Sequence, residues 1–411
     1  MKRRVVITGV GVVSPIGSGD AFWENVKKGT CGISPIESFD TTEFSVKLAA
    51  EVKDFDPTLY MDKKESKRQD RYSQFALAAA DIAVKNSGLD IEKVDSDRFG
   101  VIVGSAVGGI HTIEAEHAKL LEKGPGKVST FFIPMMLSNI ASGLVAIKYQ
   151  AKSVNFSTVT ACATGANAIG ESYKRIQDGI CDVMIAGGSE AAITPCSIAG
   201  FSALTTLSTT TDVNRASIPF DKERHGFVMG EGAGVVVLES YEHAVQRGAT
   251  ILAEIAGYGA TCDAFHITSP SEDGEGAARA MLLAVKEAGI KPEEVNYVNA
   301  HGTSTHHNDL FETRSIKMAF GDHAYKLHVN STKSMTGHML GAAGAVEFIA
   351  SVKSVMENYI HATAGYEIPD EELDLNYTKE AVEGETVNYA ISNSMGFGGH
   401  NGSLLIKKFI D

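Results

Sequence analysis

Thr158-Val-Thr-Ala-Cys-Ala-Thr-Gly-Ala-Asn-Ala-Ile-Gly170 is the stretch on which the fold turns. Ahead of it, Ser153-Val-Asn-Phe-Ser157 carries β-branched and aromatic residues and predicts a strand. Behind it, small residues lead into Ile169, Tyr173 and Ile176 at helical spacing. Cys162 therefore falls where a strand turns into a helix. A helix N-terminus presents unpaired N–H groups and roughly half a positive charge. In such a place a thiol pKa of about 8.5 falls to about 3.5–7.5, so a resting thiolate is expected. Ala161, Ala163, Gly165 and Ala166 leave room for a reactant to approach the sulfur. A lone cysteine is more often a core residue, so the rest of the chain must decide.

The chain has 411 residues, 44% of them apolar, with 41 glycines. That composition is globular and rich in tight turns. A formal charge of −14 argues against nucleic-acid binding. The five cysteines (Cys31, Cys162, Cys181, Cys196, Cys262) show no metal-ligand spacing, and their odd number suits a reducing compartment. Met1-Lys-Arg-Arg before Val5–Val13 imitates a signal peptide, but Gly9 and Gly11 interrupt a β-branched run, which reads as a first strand. No apolar run approaches the ~20 residues of a membrane helix, and the expected location is the cytoplasm.

Val5–Val13, Arg98–Ser105, Cys181–Glu190 and Val235–Leu238 read as strands, with the Cys162 helix inside a βαβ unit of parallel sheet. Near Thr250 the pattern restarts. Ile251-Leu-Ala-Glu-Ile-Ala-Gly-Tyr-Gly259 echoes Val5–Gly11, followed by a helix over Ala277–Ala288 and a strand over Tyr297–Ala300. Two related α/β halves are expected, 1–250 and 251–411. Lys64, Lys67, Arg68 and Arg71 form the densest basic cluster of an acidic chain. Helical spacing would put them on one side, facing an acidic partner.

Three later segments supply chemistry. Asn299-Ala-His-Gly-Thr-Ser-Thr305 places His301 just past a strand end, where ligand sites of α/β sheets concentrate. Ser331-Thr-Lys-Ser-Met-Thr-Gly-His338, then Leu340-Gly-Ala-Ala-Gly-Ala-Val-Glu347, brings His338 to a helix start, which disfavours the imidazolium. Lys333 and Glu347 are isolated charges in small, apolar surroundings and can pair. Ser392-Asn-Ser-Met-Gly-Phe-Gly-Gly-His-Asn401 sets Phe397 among glycines, so that ring and backbone N–H can approach a substrate.

With Thr-Ala-Cys-Ala-Thr-Gly, these segments resemble the β-ketoacyl-[acyl-carrier-protein] synthases across essentially the whole chain, and most closely the type II elongating enzymes of bacterial fatty-acid synthesis. The resemblance implies a thiolase-like five-layer αβαβα sandwich of two duplicated halves, forming homodimers. It implies that Cys162 takes the acyl chain from acyl carrier protein. His301 and His338 would act on malonyl carrier protein, with Lys333 supporting them and Glu347, Thr303 and Thr305 around them. Phe397 would gate the site and share an oxyanion hole with the Cys162 N–H. No metal and no organic cofactor is implied. Val107, Ile110 and Phe131 are candidates for an apolar acyl pocket, and Lys64, Lys67 and Arg68 resemble the carrier-protein docking patch.

The chain departs from the family pattern at His306-His307, where proline is expected after Thr305, and at Met395 and His400. These changes leave open a specialised polyketide or lipid pathway. A non-catalytic chain-length-factor-like subunit is the reading from another class, and the presence of Cys162 argues against it. A Cys–His hydrolase would not explain two histidines plus a lysine.

Overall fold

The structure, a computed structural model, describes residues 2–410. Its first half contains strands β1 (Val5–Ser14), β2 (Phe99–Gly104), β3 (Asn155–Phe156), β4 (Val183–Glu190) and β5 (Gly232–Ser240). Its second contains β6 (Ala253–Cys262), β7 (Tyr297–Asn299), β8 (His328–Asn330), β9 (Tyr389–Gly396) and β10 (His400–Lys407). The first half runs β3-β2-β4-β5-β1 and the second β8-β7-β9-β10-β6, joined by an antiparallel pairing of β1 with β6. In each half four strands run parallel and one, β5 or β10, runs against them. The second half thus repeats the first strand for strand.

Helices α1 (Arg71–Ser87) and α3 (Ile140–Tyr149) cover the outer face of the first half, with α2 (Ile110–Lys123) beyond β2. Helices α5 (Glu275–Ala288) and α6 (His306–Phe320) belong to the outer side of the second half. Between the sheets lie α4 (Thr164–Gln177) and α7 (Ala343–Glu357), packed on each other and on strands of both halves. The layers are therefore αβαβα, each interface filled by its own apolar cluster.

The echo between Val5–Gly11 and Ile251–Gly259 has a packing cause. A Cβ on Gly9 or Gly11 would lie 2.3 or 2.1 Å from the Ala83 or Ala79 carbonyl oxygen of α1. On Gly257 or Gly259 it would lie 2.0 Å from the Ala284 or Ala280 oxygen of α5. Each half presses its outer helix onto its first strand through the same Gly-x-Gly.

The two inner helices meet reciprocally. A Cβ on Gly165 would lie 2.8 Å from the Ala345 nitrogen, and one on Gly344 would lie 2.9 Å from the Ala166 nitrogen. Both helices follow a 3-10 turn, Ala161–Ala163 or Leu340–Ala342, whose first residue has positive φ (48° and 45°). Cys162 and Gly341 occupy matching places in those turns.

The basic run does not form one helix. Asp62 caps a short helix, Lys63–Ser66, and Asp70 caps α1, breaking the chain between them. Arg71 turns inward to Glu231 at 2.7 Å and to the Val52 carbonyl, leaving the patch. Lys64, Lys67 and Arg68 are exposed.

Gly165→Val and Gly344→Val are each expected to lower stability by about 1–3 kcal/mol by forcing α4 and α7 apart. Gly143→Ala in α3, where an added Cβ meets nothing within 4 Å, is expected to cost nothing. Urea unfolding midpoints of the three variants check this.

Candidate active site

Cys162 sits in the turn before α4, the strained φ of Ala161 tilting it toward a cavity of about 440 Å³. The same cavity is lined by His301, His338, Thr303, Thr305, Met395 and Phe397. Residues separated by up to 235 positions in the sequence thus share one space.

His301 follows β7. Glu312 of α6 fixes its loop, the His301 and Gly302 N–H groups each donating to the carboxylate at 2.8 Å. Asp309 of the same helix accepts from the Thr303 N–H at 3.0 Å. His338 is set by its backbone, donating to the Val228 carbonyl at 2.7 Å and accepting from the Gly230 N–H at 2.9 Å. The His301 and His338 rings lie 5.3 Å apart and nearly perpendicular, and Phe227 packs edge-on to His338 at 5.2 Å.

Lys333 stands behind His301. Its ammonium donates to the His301 carbonyl oxygen at 2.6 Å, lies 3.3 Å from His301 Nδ1 and pairs with Glu347. Lys333 and Glu347 are both buried. Burial, reinforced by Lys333, holds both histidines well below the usual imidazole range, with His338 also lowering His301. Both rings are neutral at pH 7. Neutral His338 agrees with the sequence, but its main cause is burial rather than a helix end.

Burial acts oppositely on the sulfur. Cys162 opens partly to the cavity but is enclosed by apolar groups, which push its thiol up to about 12 against the pull of Lys333. Desolvation of the anion thus runs against the resting thiolate that the helix start leads one to expect.

Phe397 lies half-buried between glycines, its ring 6.4 Å from Phe201. A Cβ on Gly396 would lie 3.0 Å from the Cys162 nitrogen, so the loop passes against the nucleophile turn. The N–H groups of Cys162 and Phe397 have no acceptor among the described residues.

Val107 and Ile110 pack in one apolar cluster with Cys162 and Phe201. Phe131 does not join them. It lies under the Arg68 guanidinium at 4.6 Å and lines a separate groove with Ile140 and Ile147. His306 accepts from Arg224 at 3.3 Å and His307 stacks on Phe311, and both line the cavity rim. The sequence reading passed over Glu312 and Glu190. The Asp309-x-x-Glu312 spacing at the start of α6 was the available signal for the first, since both carboxylates face one loop.

The β-ketoacyl synthase N-terminal domain model matches residues 2–244 and the C-terminal domain model residues 252–367. The chain belongs to the β-ketoacyl synthase family. Among curated members of the family, the chain is 49% identical over 410 residues to 3-oxoacyl-[acyl-carrier-protein] synthase 2 of Synechocystis, covering 99% of each chain. It is 51% identical over 409 residues to the protein of that name from Staphylococcus aureus, again covering 99% of both. Among solved structures it superposes with a TM-score of 0.93 on a type II polyketide ketosynthase in complex with its acyl-carrier protein, at 36% identity. It superposes at 0.92 on a β-ketoacyl synthase from Burkholderia phymatum, at 34% identity, and both matches cover 100% of each chain.

A raised thiol pKa leaves little thiolate at pH 7, so alkylation of Cys162 should accelerate with pH. The iodoacetamide rate is expected to rise about tenfold per unit from pH 6 through pH 9 with no plateau. A plateau below pH 7.5 would mean a resting thiolate.

Proposed function

We propose that the chain carries out the decarboxylative condensation of fatty-acid elongation, with Cys162 as acyl acceptor and His301 and His338 as the malonyl-activating pair. The observation that carries this reading is the cavity shared by Cys162, His301 and His338. The full-length likeness to the curated 3-oxoacyl-[acyl-carrier-protein] synthases 2, at about half identity, favours fatty-acid elongation over a polyketide pathway.

In the first half-reaction the Cys162 sulfur attacks the thioester carbonyl of an acyl carrier protein. The thiol proton ends on the departing carrier thiol, so the step balances without an outside base. The Cys162 and Phe397 N–H groups receive the carbonyl oxygen as its charge develops. In the second, the C–C bond to the malonyl carboxylate breaks, releasing CO₂ and leaving an enolate. Neutral His301 and His338 each donate an N–H to the enolate oxygen, the better use of rings too deeply buried to take a proton. The enolate carbon attacks the Cys162 thioester, a β-ketoacyl carrier protein forms, and the sulfur leaves as a thiolate that takes a proton from solvent water. Lys333 anchors His301 and keeps both rings uncharged, Glu347 balances Lys333, and the Thr303 and Thr305 hydroxyls line the entry.

The carrier protein docks on Lys64, Lys67 and Arg68, exposed cations with no ion pair among the described residues. A second copy of the chain covers the open edge at β3. There Phe156, Val159, Ile133 and Leu137 stay 36–56% exposed, and Ser157 bonds the Ser138 carbonyl, holding the two segments together. The reaction belongs in the cytoplasm, whose reducing conditions suit the free cysteines. No described helix is long and apolar enough to cross a membrane.

Cys162→Ala is expected to abolish condensation while malonyl decarboxylation persists; retained condensation would reject the assignment. His338→Ala should lower condensation about 10²–10³-fold through loss of one oxyanion donor. Reversing charge at Lys67 and Arg68 should raise KM for carrier-bound acyl groups about tenfold and spare small thioesters. Steady-state kinetics with both substrate types checks the last, and light scattering checks the dimer.

A further inference from the structure

Glu190 closes β4 and is fully buried. No lysine or arginine pairs with it among the described residues. Its carboxylate is instead filled by four donors. Ser105 Oγ donates at 2.7 Å and the Val107 N–H at 3.2 Å to one oxygen. The Ala106 N–H donates at 2.8 Å and the Gly341 N–H at 3.0 Å to the other. Three of these are backbone N–H groups, which can only donate, so the site is built for an acceptor on both oxygens.

The donors come from two places that matter to the cavity. Ser105–Val107 is the loop after β2, and Val107 packs in the apolar cluster around Cys162 together with Ile110. Gly341 belongs to the turn of the second half, whose Leu340 lines the cavity. A Cβ on Gly341 would lie 2.6 Å from both the Glu190 carboxylate and the Ala106 nitrogen. The carboxylate therefore occupies the space that a side chain at 341 would need, and it binds the first half's loop to the second half's turn. Nothing in the condensation chemistry uses it. Burial raises its pKa, the four hydrogen bonds opposing that rise.

We propose that Glu190 is a positioning residue that sets which acyl chains the site accepts, by clamping the Ser105–Val107 loop and the Leu340–Ala342 turn against Cys162. This rests on the condensing reaction proposed above. On this proposal an acyl group on Cys162 runs along the apolar cluster that joins Cys162 to Val107, Ile110 and Leu340, and the walls carrying Val107 and Leu340 are held by one carboxylate. Short acyl groups reach little of those walls, whereas long ones need them in register.

Glu190→Gln keeps the shape but turns an NH₂ toward N–H donors, so one side of the clamp opens. Ser105→Ala removes one donor and keeps the other three. The experiment measures kcat/KM of wild type and both variants with butanoyl- and dodecanoyl-carrier protein, alongside thermal unfolding. The dodecanoyl-to-butanoyl ratio is expected to fall at least tenfold in E190Q, chiefly through a raised KM for the long chain, and two- to fivefold in S105A. An unchanged ratio in the folded variants, or an equal loss on both substrates as a purely structural lesion would give, overturns the proposal. Should E190Q fail to fold, S105A decides by the same criterion. Absence of condensation by wild type with either substrate would instead overturn the functional reading beneath it.

Discussion

The molecule is organised by the distance at which two helices pass. At Gly165 and Gly344, α4 and α7 approach so closely that a methyl group on either would strike the other's backbone. Each helix is preceded by a turn whose first residue is held at positive φ, a strained conformation for alanine and leucine that only surrounding packing sustains. Because the helices touch there, the turns touch too, and a nucleophile from one half faces the loop of His338 from the other. The duplicated sheets hold that contact on both sides. The Gly-x-Gly of β1 and that of β6 do the same work on the outer layers.

The site is buried, and the electrostatics follow. Burial disfavours every isolated charge, raising a thiol and lowering an imidazole. Lys333 keeps its place through Glu347 and the His301 carbonyl oxygen, and its field opposes protonation of both rings. The outcome is three neutral groups (one thiol and two imidazoles) around the space in which charge appears only during reaction. Hydrogen-bond donors aimed at such a space need little rearrangement as that charge develops. Glu190 and Glu312 extend this logic outward. Each is a buried carboxylate that accepts backbone N–H groups and so fixes a loop carrying a cavity residue.

Much of this was legible in the residues. The strand-to-helix turn at Cys162 is written in small residues, and the His301 and His338 segments each end a strand. The Gly-x-Gly echo signalled duplication because helix packing, not a ligand, demands those glycines. What was not legible depended on long-range placement. The basic run read as one helix because Lys64 to Arg71 has helical spacing, but Asp62 and Asp70 cap two separate helices, and Arg71 finds Glu231 far along the chain. The Arg68 guanidinium over the Phe131 ring is a contact that no periodicity discloses. Cys162 read as a thiolate because a helix terminus is local and visible in sequence, whereas the enclosure that opposes it is built from both halves.

The claim on which the account rests is that the two imidazoles facing Cys162 are uncharged donors. Imidazole ¹⁵N NMR of His301 and His338, assigned through single substitutions and followed from pH 8 to pH 5.5, tests it directly. Both rings are expected to keep the neutral signature, one protonated and one bare nitrogen, down to pH 5.5. An imidazolium signature on either ring at pH 7 would contradict the account.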